Sequence, residues 1–213
     1  NVGKAYILPL ISLLWSACGN PEVLNEDSFE ELLASAPAIS GREAYLNSPF
    51  VTAGDRVYLV GHQDGSFPEL GWHIKGEMGG IWNHPIKLMD GFNAFLTMDG
   101  KSVPLENARR FINYPMAGRH DYHLDSLGLK VERWQFVPDG KEGLVLEFVF
   151  HNTADKDRSL EFAFEGHPDL RPTWLGDRTG MFDGRDLAAY DGGLGAWVAT
   201  DSLNPWYVIY GSN

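Results

Sequence analysis

Short segments that alternate apolar and polar residues dominate the chain from about residue 47 onward. Residues 129–136 and 160–166 alternate as half-buried strands do, whereas residues 144–150 are more continuously apolar, as expected of a central strand. Turn-forming residues such as Asp139-Gly140 separate these segments. The pattern predicts a three-stranded antiparallel meander between residues 127 and 172.

Further segments have the composition of strands, and turn residues bound them. They are residues 56–60, 85–98, 101–105, 196–200 and 206–210. The second is interrupted at Asp90-Gly91, which predicts either one strand or a bulged pair, and Asp99-Gly100 predicts a hairpin turn after it. Because strand signals far outnumber helix signals, the sequence predicts an all-β fold, an antiparallel β-sandwich over residues 47–213.

The first eighteen residues have the pattern of an export signal. Lys4 supplies a positive charge, and residues 5–17 form an apolar stretch of thirteen residues, too short to span a bilayer as a helix. The small residues Ser16 and Ala17 before Cys18 resemble the lipobox of bacterial lipoproteins. The resemblance implies lipidation of Cys18, a membrane anchor and localisation in the periplasm or at the cell surface; a plain signal peptide is the alternative.

Residues 19–46 have the composition of an acidic tether. Ser28 and Glu31 have the spacing of a capping box, which favours a short helix there. The last apolar segment, 206–210, ends three residues before the end of the sequence. A strand needs a neighbour for its backbone groups, so we expect the sandwich to be truncated and more protein to follow residue 213.

Composition narrows the partners of the chain. The formal net charge of −12 repels phosphate backbones, so nucleic acid is not expected as a partner, whereas neutral glycans are unaffected. The single cysteine excludes an intrachain disulfide and a cysteine-based zinc site. The sequence lacks a P-loop and a dinucleotide-binding fingerprint after a strand, so no cofactor is predicted.

The segment from residue 61 to residue 85 is the most unusual part of the chain. It combines glycines with three histidines, two tryptophans and several acidic residues. Tryptophan and histidine rings pack on the apolar face of a sugar ring, and polar groups bind its hydroxyls. We therefore predict glycan contacts from Trp72, His73, Trp82 and His84. The alternative is a glycine-rich loop whose aromatic side chains pack into the sandwich.

Neither a metal site nor a catalytic pair is predicted. The loop histidines His62, His73 and His84 are eleven residues apart, which is not a compact ligand spacing. His120 and His123 are three residues apart, so on a strand they point to opposite faces. A glycosidase needs two carboxyl groups across the scissile bond. The candidate carboxylates, for which the sequence fixes no separation, are Glu69, Glu77, Asp90, Asp121 and Asp169.

Three segments together resemble a known family. They are residues 61–92, the expected meander over 129–164, and residues 166–176, with Asp169-Leu170-Arg171-Pro172-Thr173-Trp174 the most specific part. They resemble the N-terminal β-sandwich (supersandwich) domain of glycogen-debranching-like six-hairpin glycosidases, which are related in architecture to glycoside hydrolase family 63. For Asp169 to Pro172 we also consider a structural role, in which Arg171 fixes a loop by hydrogen bonds.

The resemblance implies an exported glycoside hydrolase acting on α-glucosidic or related glycans. Its catalytic carboxylates would lie in a C-terminal (α/α)6 barrel that these 213 residues do not contain, so no catalytic residue is assigned here. The alternatives are a surface lipoprotein that binds glycans without chemistry, or a purely structural lipoprotein domain.

Overall fold

The computed structural model describes residues 28–212, together with the backbone of residues 2–4. Three antiparallel sheets and very little helix make it an all-β protein, consistent with the predicted sandwich. The one α-helix of the described residues, α1, spans Phe29–Leu32. Cys18 and the rest of the predicted signal lie outside the described residues. In residues 28–212, no helix has the length and apolar character needed to cross a bilayer.

The order of the strands along the chain differs from their order in the sheets. In chain order they are β1 (Val2–Lys4), β2 (Ile39–Ser40), β3 (Pro49–Ala53), β4 (Val57–His62), β5 (Gly80–Asn83), β6 (Ile86–Met98), β7 (Lys101–Pro104), β8 (Arg110–Tyr114), β9 (Ala117–Leu124), β10 (Leu129–Phe136), β11 (Val145–Asn152), β12 (Glu161–Pro172), β13 (Asp186–Asp191), β14 (Ala196–Asp201) and β15 (Tyr207–Gly211). Short 3-10 turns lie at Glu43–Tyr45, Asp125–Leu127 and Gly176–Thr179.

Two large sheets enclose the core. The first has the order β1-β11-β10-β9-β8-β2, and the second has the order β12-β6-β5-β4-β3, with β7 also paired to β6. Leu96 of β6 and Val131 of β10 belong to one buried cluster, and Leu59 of β4 and Phe111 of β8 belong to another. Side chains from both sheets therefore meet in the interior, as in a sandwich.

The predicted meander is correct for its first two strands and wrong for the third. β10 and β11 pair from Leu129 with Asn152 to Phe136 with Val145. β12 instead crosses to the second sheet and pairs with β6. Phe148 and Phe162 then face each other across the interior, with ring centroids 4.8 Å apart. Alternation shows that one face of a strand is buried, but it does not determine the neighbouring strand.

β6 is one strand whose pairing shifts at the predicted interruption. Opposite β12, Gly91 pairs with His167 and Met89 pairs with Pro168, so Asp90 is the extra residue of a bulge. Gly91 has a φ of 146°, and a Cβ placed there would lie 2.3 Å from Cγ of Phe67. A glycine is therefore required for Phe67 to pack on this strand.

The third sheet consists of β13, β14 and β15 in that order. The predicted strands near residues 196–200 and 206–210 are confirmed, and they pair with each other as β14 and β15. Val208 and Tyr210 pack against the core of the sandwich. On the opposite face, Leu187, Tyr207 and Ile209 are exposed.

Residues 28–46 run along the first sheet. The predicted capping box is confirmed, since the Ser28 side chain accepts a hydrogen bond from the Glu31 backbone and the Glu31 side chain accepts one from the Ser28 backbone. The backbone N–H of Phe29 donates to Glu147 at 3.1 Å, and its ring lies 5.4 Å from that of Phe136. β2 adds to the edge of the sheet beside β8.

Candidate functional site

One carboxylate organises the exposed part of the loop between β4 and β5. The side chain of Glu77 accepts hydrogen bonds from the backbone N–H groups of Trp72 at 2.7 Å, His73 at 2.6 Å and Ile74 at 3.1 Å. These hydrogen bonds, that from His73 the strongest, lower the pKa of Glu77 against a smaller opposing effect of burial. The ionised carboxylate therefore holds residues 72–77 in one tight turn.

This turn presents aromatic side chains to solvent. Trp72 is 87% exposed, and the His73 ring lies edge-on to the Trp174 ring with centroids 4.4 Å apart. We call Trp72, His73 and Trp174 the aromatic surface. Two of the four predicted glycan contacts, Trp72 and His73, lie in it, and Trp174 was not among those four.

The other two predicted contacts lie elsewhere. Trp82 is only 2% exposed, its indole N–H donates to the Gly79 carbonyl at 2.9 Å, and its ring stacks beside Tyr58. Its ring faces are therefore closed to a sugar, and the prediction for Trp82 is wrong because β5 lies inside the second sheet. His84 is exposed in the turn after β5, and no ring contact joins it to the aromatic surface in residues 28–212.

A fully buried lysine binds the backbone of the loop between β4 and β5. Lys87 of β6 has no exposed side-chain surface, and its ammonium donates to the Gly76 carbonyl at 2.9 Å. The same ammonium pairs with Asp169 at 3.1 Å and also with Asp90. Sequence reasoning missed Lys87, although it occupies the same inward face of β6 as Met89, a position where lysine is rare.

The most specific segment of the family resemblance takes part in this anchor. Arg171 pairs with Asp169 at 3.0 Å and donates to the Lys75 carbonyl at 3.4 Å. The backbone N–H of Leu170 donates to Asp186 at 2.9 Å. These contacts give Asp169 and Arg171 the loop-fixing role that we considered as the structural alternative.

Burial and like charge perturb the carboxyl groups near this anchor. Burial raises the pKa of Asp169; the charge of Asp90 adds to this, whereas Lys87 and Arg171 oppose it. Burial likewise raises the pKa of Asp183 and of Asp186. Several acidic side chains therefore lie near the two cations Lys87 and Arg171.

The five candidate carboxylates do not form one group. Glu77 caps the turn, Asp90 and Asp169 share Lys87, and Glu69 pairs with the exposed Lys75. Asp121 lies on β9 in the first sheet, where it pairs with Arg119 at 2.8 Å. All of these carboxylates are therefore engaged in structural contacts.

The histidines behave as strand geometry requires. His120 is fully buried, whereas His123, three residues further along β9, is exposed on the other face. Within residues 28–212, no group of three or more His, Cys, Asp or Glu side chains is arranged to hold a metal ion.

Two adjoining pockets lie beside the loop. The first, of about 230 Å³, includes Glu69, Asp90 and the hydrogen-bonded pair of Asn93 and His167, whose side-chain nitrogens are 3.0 Å apart. The second, of about 320 Å³, extends to Arg133. Both are lined by Phe67, Pro68, Phe92 and Asn93.

No protein-family model, curated protein or solved structure matches the chain.

Proposed function

We propose that the chain is the non-catalytic β-sandwich domain of an exported glycoside hydrolase acting on α-glucosidic or related glycans, and that its aromatic surface contacts the glycan. The observation that carries this proposal is the exposure of Trp72 on a turn fixed by Glu77. A rigid, solvent-facing indole offers its face to a pyranose without the cost of ordering a flexible loop.

The anchor beneath the turn supports the same proposal. Lys87 and Arg171 bind the loop carbonyls of Gly76 and Lys75, so the turn that carries Trp72 is attached to β6 and β12 as well as to its own loop. Sites that rest on strands are held more precisely than sites carried by loops alone. Contacts with two strands of the sandwich therefore help to fix the turn that carries Trp72.

The distribution of carboxylates favours a non-catalytic role. The acid and base of a glycosidase must face a common substrate, whereas Asp90 and Asp169 are both bound to one buried ammonium. The exposed apolar face of the third sheet, with Leu187, Tyr207 and Ile209, suits contact with another domain such as the proposed (α/α)6 barrel. In this proposal the catalytic carboxylates belong to that barrel.

A surface glycan-binding lipoprotein is the second candidate, because the aromatic surface is complete within residues 28–212. The two candidates differ in what the full-length gene product does. The enzyme candidate predicts release of reducing sugar from α-glucans by that product and none by residues 1–213 alone. The binding-module candidate predicts no release by either.

Glycan contact is tested by affinity electrophoresis of the chain in gels that contain soluble α-glucan. We expect Trp72→Ala to weaken retention about tenfold, which corresponds to about 1.4 kcal/mol, because the stacking face is lost. The matched control is Trp197→Ala, which removes an exposed tryptophan of the third sheet. Equal retention of the wild type and Trp72→Ala, or equal losses in both variants, would rule out the aromatic surface as the contact.

A further inference from the structure

A second cation lies buried in the sandwich, away from Lys87. Arg133 of β10 is 2% exposed and faces the interior between the sheets. Its Nη1 donates to the Gly65 carbonyl at 2.9 Å, and its Nη2 lies 3.1 Å from Nδ1 of His120. The rings of Phe67 and Phe92 lie 5.8 and 5.1 Å from its guanidinium carbon.

No carboxylate of the described residues forms an ion pair with this guanidinium. Within the same part of the chain, the Nε of Arg133 has no hydrogen-bond partner. Burial and the charge of Arg133 keep the pKa of His120 well below its usual range, so this neighbour is neutral. Burial lowers the pKa of Arg133, whereas Tyr122 and the charge of Asp64 oppose this. The Asp64 carboxylate accepts hydrogen bonds from the backbone and side chain of Ser66 and forms no ion pair with Arg133. A buried charge without a counter-charge is costly.

Arg133 is one of the residues that line the pocket of about 320 Å³. That volume is at the lower end of the range of about 300–1,000 Å³ usual for small-molecule sites. A Cβ on Gly65 would lie 2.0 Å from the Tyr122 hydroxyl oxygen, and the φ of Gly65 is 92°. Glycine at this position lets the backbone carbonyl approach Arg133 and forms one wall of the pocket.

The rest of the lining provides both apolar and polar groups. The rings of Phe67 and Phe92 offer apolar surface, with centroids 4.8 Å apart. Asn93 and Asn107 provide amide groups of the kind that bind hydroxyls, whereas Glu106 and Asp64 place carboxylates in the lining. A simple anion would contact the guanidinium alone, whereas a sugar that carries a carboxylate would contact both the guanidinium and these amide groups.

We propose that this pocket binds a uronate, a sugar unit whose carboxylate pairs with Arg133 and whose hydroxyls bind the amide groups of Asn93 and Asn107. The guanidinium matches a carboxylate in shape and charge, and such charge-assisted pairs are among the strong hydrogen bonds of proteins. The proposal rests on the proposed function only for the sugar character of the ligand. The net charge of −12 disfavours non-specific anion binding, so any affinity for a carboxylate must come from the pocket itself.

The test is isothermal titration calorimetry of the chain with three probes: D-glucuronate, its neutral counterpart D-glucose, and acetate. We expect glucuronate to bind with a dissociation constant of about 1 mM or tighter, and both controls to bind at least tenfold more weakly. Glucose binding as tightly as glucuronate would overturn the role of the carboxylate. Acetate binding as tightly would overturn the role of the sugar, and no binding of glucuronate would overturn the site.

Two variants locate the site. Arg133→Met should abolish glucuronate binding. Glu106→Gln removes an exposed negative charge from the rim and should tighten glucuronate binding several-fold while leaving glucose unchanged. Glu142→Gln, an exposed acid outside the lining, is the matched control.

If Arg133→Met does not fold, the Glu106→Gln measurement still decides, because an unchanged affinity would place glucuronate outside this pocket. Trp72→Ala should not alter glucuronate binding, so failure of the aromatic surface and failure of the pocket are distinguishable.

Discussion

A Lys87→Met substitution removes the ammonium that joins β6 to the loop carrying Trp72. Methionine fills a similar volume without charge, so the packing of β6 is largely kept. The carboxylates of Asp90 and Asp169 lose their shared partner, and the Gly76 carbonyl loses its donor. The expected result is a less stable protein whose aromatic surface is less well held.

The size of the effect follows from the exposure of the two carboxylates. Breaking a fully buried ion pair by removing one partner costs about 3–5 kcal/mol. Here the side chain of Asp169 is 25% exposed and that of Asp90 is 55% exposed, so water recovers part of the loss. We therefore expect a loss of about 2–4 kcal/mol, which for a chain of this length lowers Tm by about 5–15 °C.

The effect depends on pH in a defined direction. Burial already raises the pKa of Asp169 above its ordinary 3.8, and Lys87 opposes that rise. Without Lys87 the pKa of Asp169 rises further, so the folded variant binds a proton more readily than its unfolded state does. The contribution of Asp169 to the stability of the variant is then greatest at low pH and is lost as the pH rises through the folded pKa. The difference in stability between the variant and the wild type should therefore narrow as the pH falls from about 7 towards about 5.

Urea unfolding, followed by tryptophan fluorescence at about pH 7 and about pH 5, measures the difference in the free energy of unfolding between the variant and the wild type. Lys101→Met, at an exposed lysine of β7, is the control for a lost surface charge. The double variant Lys87→Met/Asp169→Asn should regain part of this stability at about pH 7, since one of the two carboxylates that lost Lys87 is gone, although Arg171 then loses its pair with Asp169. The reasoning is refuted if Lys87→Met costs no more than Lys101→Met, or if Asp169→Asn destabilises the Lys87→Met background.

Two further predictions concern stability. Gly65→Ala should lower the free energy of unfolding by about 2–4 kcal/mol, because of backbone strain and a Cβ 2.0 Å from the Tyr122 hydroxyl oxygen. Adding Tyr122→Phe to this variant should recover part of the loss in urea unfolding. Equal losses with and without the hydroxyl would contradict the contact. Trp82→Ala should cost about 3–5 kcal/mol, whereas Trp72→Ala should change the free energy of unfolding by less than about 0.5 kcal/mol; similar urea midpoints for the two would contradict their placement in the core and at the surface.

The strands were predictable where alternation and turn residues coincide. β10 begins and ends where the pattern predicted, and Asp99-Gly100 joins β6 to β7 with both residues at positive φ. β9 was not predicted, because Arg119, His120 and Asp121 interrupt its apolar pattern. Its inward polar residues are accommodated by interior contacts such as that between His120 and Gln135 at 3.2 Å.

Only part of the aromatic surface and of its anchor could be predicted, because the exposure of a side chain depends on tertiary contacts as well as on local sequence. The composition of the loop directed attention to Trp72 and His73, but composition alone does not separate an exposed indole from a buried one such as Trp82. Trp174 and Lys87 reach the loop through pairings that join distant parts of the chain, including the shifted register of β6 and β12. Such contacts depend on the tertiary arrangement, which local patterns do not encode.

The crossing of the chain from β11 to β12 has a consequence for how the protein is synthesised. One side of β6 is paired by β12, whose first residue, Glu161, joins Thr97. A nascent chain shorter than this already contains β6 but leaves that side unpaired, with backbone groups available to any other strand. This side of a growing chain is therefore exposed to mispairing with other strands while residues 99–172 are added.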